Sequence, residues 1–147
     1  MKALHRILFG LHLLVGVGAM AGGFAAISNP QSPLGAPVDM LKYSPFSDFL
    51  IPGILLFAVI GIGNAVSAVF VQRNPWYFPY VSSVFGWALV IWILVQCILL
   101  RSVVFLHVLF FLIGLVQASI AMLFLFHRRL FPFNAFEYYW KRLITKE

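Results

Sequence analysis

Between residues 7 and 127 only five side chains carry charge: Asp39, Lys42, Asp48, Arg73 and Arg101. None falls inside four long apolar runs, at residues 7–27, 50–71, 78–100 and 103–126. Each run reaches the about 20 residues that an α-helix, rising about 1.5 Å per residue, needs to cross about 30 Å of hydrocarbon. A soluble domain of 147 residues has no interior that would hide four such segments. The expected fold is all-α, a polytopic membrane protein built as an antiparallel bundle of four transmembrane helices. The spans and their connections consume the chain, so a single membrane domain is expected, with short interfacial helices, an outer loop at 28–49 and a tail at 127–147.

Composition narrows the function classes. Hydrophobic residues make up 63% of the chain and charged residues 10%, against about 25% charged in an ordinary globular domain. The single cysteine, Cys97, excludes an internal disulfide and any chemistry that needs a thiol pair. The net charge of +6 implies no nucleic-acid partner, because basic residues in such a chain report topology and contact with anionic lipid heads.

Eight of the ten Lys/Arg fall on one side of the four-span topology: Lys2, Arg6, Arg73, Arg128, Arg129, Lys141, Arg142 and Lys146. Only Lys42 and Arg101 fall on the other. The excess of positive charge on cytoplasmic segments then predicts a multi-pass protein of the cell membrane with both termini cytoplasmic. Lys2 and Arg6 before an apolar stretch, with Ala19-Met20-Ala21 behind it, also match a secretory signal peptide. The run is longer than a signal core, so a retained first span is expected.

The outer loop opens with a proline-rich stretch, residues 28–37, that cannot continue a helix. Next, Ser44 suits an N-cap, Pro45 a first helical position, and Asp48 the negative charge a helix start favours. A short interfacial helix is predicted there, turning into the second span with a kink about Pro52. An ion pair between Asp48 and Arg101 would fasten this loop over the bundle.

The sequence Ser-Pro-Phe-Ser-Asp-Phe-Leu-Ile-Pro-Gly at 44–53 resembles a recurring element of small four-span bacterial integral membrane proteins. So does the pattern Trp92-Ile93, Gln96, Arg101, Leu106-His107 and Gly114 across the last two runs. The four-span architecture is also similar to that of the DoxX-like group. The resemblance implies a bacterial inner membrane and brings no activity with it.

Few polar groups interrupt the spans. His12, Gly16, Ala19 and Gly23 share one helical face, as do Gly53, Phe57, Gly61, Asn64 and Ala68 in the second span. In the fourth, His107, Gly114, Ala118 and Ala121 form a stripe with Gln117 beside it, and Gly18-x-x-x-Gly22 is a second small-residue pair on the first. Small residues at this spacing let backbones approach closely. The stripes read either as packing seams or as the lining of a lipid or ion path. His12 and Asn64 fall at matching depth and are expected to hydrogen-bond, because an unpaired polar group in hydrocarbon costs several kcal/mol. On the outer side Gln96, Arg101 and His107 cluster, with Asp48 approaching. That group reads as a structural clasp or as a pocket for a lipid head group.

No carboxylate lies mid-span, no H-E-x-x-H occurs, and four scattered histidines form no metal-ligand pattern. Neither a catalytic group, a cofactor nor a metal is expected. At the cytoplasmic edge Trp76, Tyr77 and Tyr80 belong to an aromatic belt, joined by the aromatics and cations of the tail, where 134–144 suits an amphipathic helix on the membrane surface. Three classes remain: an accessory or structural membrane protein in contact with lipids, a partner protein or copies of itself; an oligomeric transporter or channel component; and a lipid-modifying enzyme with Asp48, Arg101 and His107 at the outer interface. The first is preferred, since no polar path and no nucleophile–base pair is visible.

Overall fold

The computed structural model describes residues 1–74 and 76–131; the predicted amphipathic tail, with Lys141, Arg142 and Lys146, lies outside the described residues. Four helices, each long and apolar enough to cross a membrane, pack side by side: α1 (Lys2–Ser28), α2 (Leu50–Arg73), α3 (Phe78–Leu100) and α4 (Phe105–His127). They alternate in direction, so α1 starts and α4 ends at one face, here the terminal face. The 29–49 connection crosses the opposite, loop face. This is an all-helical, multi-pass integral membrane protein.

Its lipid-facing surface is what the sequence requires. Leu14, Val17, Phe24, Val84, Ile91, Ile98, Leu112 and Phe126 all stand exposed on the bundle. Burying apolar groups gains nothing where the solvent is hydrocarbon, so the helices are held by close backbone approach instead. A Cβ at Gly23 would fall 2.8 Å from the Gly53 carbonyl oxygen, and one at Gly16 would fall 3.0 Å from the Ala65 nitrogen. These residues, with Gly61 against Met20, seam α1 to α2. Gly86 and Gly114 do the same for α3 and α4: a Cβ at Gly86 would lie 2.8 Å from the Ala118 nitrogen. The bundle is therefore two tightly seamed hairpins, α1–α2 and α3–α4.

Two small-residue positions behave otherwise. Gly18 is exposed and Gly22 half-buried. The nearest atoms to a Cβ there would be side-chain carbons of Phe110, at 3.8 Å, and Leu56, at 3.5 Å. This pair faces space, not a neighbouring backbone, and is no seam.

The loop also departs from expectation. No helix forms at 45–49; instead Pro33–Gly35 and Val38–Leu41 make single 3₁₀ turns. The Ser44 hydroxyl oxygen takes the Phe46 N–H at 3.2 Å, a local turn that competes with capping. α2 starts at Leu50, its amide donating to Asp48 Oδ1 at 2.9 Å. Pro52 thus sits in the first turn, where its missing N–H would have had no partner, and forces no kink. The irregularity lies one turn on, where Leu56–Ile62 winds as a π-helix inside α2.

Candidate functional site: a polar layer beneath an apolar cavity

The interior is stratified. Nearest the terminal face, Leu8, Val71, Phe78, Ile120 and Phe124 form one apolar cluster. Val15, Ala19, Ile60, Leu89 and Ile93 form a second, closer to the loop face. Between them lies a layer of fully buried polar side chains: His12, Asn64, Ser67, Ser82 and Gln117.

Three of these meet. His12 Nδ1 is 2.7 Å from Asn64 Oδ1, and Gln117 Nε2 donates to the same oxygen at 3.2 Å. Asn64 Nδ2 donates to the Ile60 carbonyl at 2.9 Å, which fixes the amide's orientation. That carbonyl lies in the π stretch and also takes the Gly63 N–H, so it serves two donors. With Asn64 Oδ1 turned toward the ring, the proton must sit on His12 Nδ1, assigned from the network as such protons are. Gln117 Nε2, 3.1 Å from that nitrogen, is then its neighbour and not its donor.

The assignment leaves His12 Nε2 as a bare lone pair. It and Gln117 Oε1 are buried acceptors without a donor, and Ser82 Oγ is buried without a partner in the same layer. The expected His12–Asn64 hydrogen bond therefore forms, while His12 and Gln117 each keep one acceptor unpaired. Ser67 satisfies itself, its hydroxyl donating to the Gly63 carbonyl at 2.9 Å.

Above the second apolar cluster the hairpins part. A cavity of about 610 Å³ opens between all four helices and the loop residues Pro33, Leu34 and Ala36. Its floor is the cluster itself: Val15, Ala19, Ile60, Leu89 and Ile93 all line it. His12, Asn64 and Gln117 do not; they lie one turn further down, closed off by that floor. Gly18, Ala21 and Leu106 line the cavity while being exposed on the bundle, so it reaches the lipid-facing surface between α1 and α4. No charged side chain lines it. Its polar members are Gln96, Trp92, whose indole Nε1 is buried without a partner, and His107, whose Nδ1 accepts the Val104 N–H at 3.2 Å and so secures the start of α4.

Of the four residues expected to cluster at the loop face, two are brought together and two are not. Gln96 and His107 share the cavity. Asp48 is engaged in starting α2, and among the described residues no ion pair joins it to Arg101. Arg101 lays its guanidinium over the Tyr43 ring, 4.1 Å from the centroid, and ends α3 in the left-handed conformation at φ 45°. The loop is fastened by a cation–π contact. Asp48 instead accepts the Leu50 amide, a donor at the helix start that has no intrahelical partner.

Sequence reasoning missed Ser82, Gly86 and the cavity. Serine at 82 and glycine at 86 are four apart on α3, the same small-residue signal that was readable on the other helices. Cys97 is free and packs beside the second apolar cluster. Among the described residues no three His, Cys, Asp or Glu side chains are grouped to hold a metal ion. No protein-family model, curated protein or solved structure matches the chain.

Proposed function

We propose that this membrane protein is a lipid-interacting accessory component that holds an apolar chain from the bilayer in its loop-face cavity. The carrying observation is the cavity's character. It has about 610 Å³, within the roughly 300–1,000 Å³ of ligand sites, walls that are apolar apart from Trp92, Gln96 and His107, no charge, and an opening to the lipid-facing surface. A hydrocarbon chain needs no polar partner there, and a charged solute would lose its hydration without replacement. The closed floor weighs against a transporter, since no path continues to the polar layer. The eight-to-two division of Lys/Arg supports a cytoplasmic terminal face, and the resemblance at 44–53 and across the last two spans supports a bacterial inner membrane.

Native mass spectrometry of the gently solubilised protein tests this reading. Wild type should retain lipid adducts. Gly18→Leu, which fills the cavity where the nearest atom to a new Cβ is 3.8 Å away, should lose most of them. Gly10→Ala, where a Cβ meets nothing within 4 Å, should not. Equal retention in all three proteins would refute the cavity as the site.

A further inference from the structure

The loop-face cavity is apolar along its length but not at its edge. Gln96 from α3 and His107 from α4 both line it, and both are half-buried. α3 ends at Leu100 and α4 starts at Phe105, so each residue lies within about one turn of the loop-face end of its span. His107 Nδ1 accepts the Val104 N–H at 3.2 Å, so the neutral ring carries its proton on Nε2. Among the described residues that N–H has no protein acceptor, and the Gln96 amide makes no hydrogen bond. Neither group is covered, whereas the unpaired Trp92 indole nitrogen is. Gln96 and His107 are therefore the polar side chains that a ligand in the cavity meets.

Given the lipid chain proposed for the cavity, on which this rests, we infer that Gln96 and His107 bind the ester carbonyl at the head of that chain. A carbonyl oxygen has two lone pairs and no proton, so it accepts from the Gln96 amide and the His107 Nε2–H together. A bare alkyl chain would desolvate both donors and pair neither, which costs free energy. A carboxylate fits less well, because it would lose its hydration in a cavity that no cation lines. Depth agrees with the chemistry. The ester groups of a bilayer lie where hydrocarbon gives way to head groups, and the ends of α3 and α4 place the two side chains at that boundary. From there the chain runs inward along apolar walls to the floor at Val15, Ile60 and Leu89.

Replacing the ester by an ether removes the carbonyl and little else, and Trp92, which lines the cavity, reports the result locally. The full chain, with Trp92 as its only tryptophan, is reconstituted in unlabelled diacyl phosphatidylcholine. Two chain-brominated guests with the same head group then compete with this host, one diacyl and one dialkyl. Quenching that Gly18→Leu abolishes belongs to the cavity, and the remainder belongs to the surrounding lipid. For the cavity part, the dialkyl guest should bind about tenfold more weakly than the diacyl guest, two hydrogen bonds each weighting occupancy about threefold. Gln96→Met keeps the length of the side chain without its donor and should narrow the gap to about threefold. Equal binding of the two guests would overturn carbonyl recognition while leaving a chain in the cavity. A gap that Gln96→Met leaves unchanged would overturn Gln96 as a donor to the ester. Quenching that Gly18→Leu leaves unchanged with both guests would remove the chain itself, and the ester site with it.

Discussion

His12 and Asn64, 52 positions apart in sequence, meet at 2.7 Å where α1 packs on α2, and the proton between them is carried by His12. The pair sits in a polar layer bounded by apolar clusters on both sides, so neither group has water to fall back on. Removing one partner should therefore cost more than removing both. Asn64→Leu is expected to destabilise by about 1–3 kcal/mol, because it strands a buried donor. His12→Leu combined with Asn64→Leu should recover part of that loss. A double-mutant cycle read from detergent-denaturation midpoints checks it; a coupling indistinguishable from zero would show that the contact contributes nothing.

The glycine seams predict a graded series. Gly86→Val pushes a branched side chain against the α4 backbone at Ala118, where 2.8 Å is already too close for a Cβ. Gly61→Leu meets Met20 on α1. Both should reduce the yield of folded protein severely, Gly86→Val through the α3–α4 hairpin and Gly61→Leu through α1–α2. Gly10→Ala should be neutral or slightly stabilising, since alanine is the better helix former by up to about 1 kcal/mol. Size-exclusion profiles and thermal stability of the three purified variants distinguish these outcomes.

The four spans were legible because hydrocarbon excludes charge so strongly that an apolar run of about 20 residues without it marks a membrane crossing. The His12–Asn64 contact was legible too, since two polar groups at one depth in neighbouring helices have little choice of partner. Asp48 misled, because a carboxylate near the start of α2 and an arginine in the outer turn look like an ion pair until the Leu50 amide is considered as the partner. The cavity was not legible at all. It arises where two hairpins diverge, and the amount of divergence is set by whole-helix packing that no local pattern encodes. Gly18 and Gly22 show this most directly: the same spacing that seams helices elsewhere here lines open space.

The loop clasp has its own signature. Arg101→Gln removes the guanidinium from the Tyr43 ring and should speed hydrogen exchange over residues 38–46 several-fold, while lowering global stability by no more than about 1 kcal/mol. Asp48→Asn keeps an oxygen that accepts the Leu50 amide and should be nearly silent. Asp48→Ala removes the acceptor and should fray the start of α2 at a cost of about 0.5–2 kcal/mol. A strong effect of Asp48→Asn would instead restore the carboxylate's charge as the feature that matters.

Occupancy of the cavity by a lipid chain is tested most directly by the fluorescence of Trp92, which lines the cavity and is half-buried. With Trp76, Trp87 and Trp140 replaced by Phe, Trp92 is the only tryptophan left. The protein is then reconstituted in phospholipid brominated along its acyl chains, bromine being a contact quencher. Strong quenching is expected in the wild-type cavity, and substantial relief once Gly18→Leu fills it. Quenching that is weak to begin with, or that Gly18→Leu leaves unchanged, would contradict a lipid chain in the cavity.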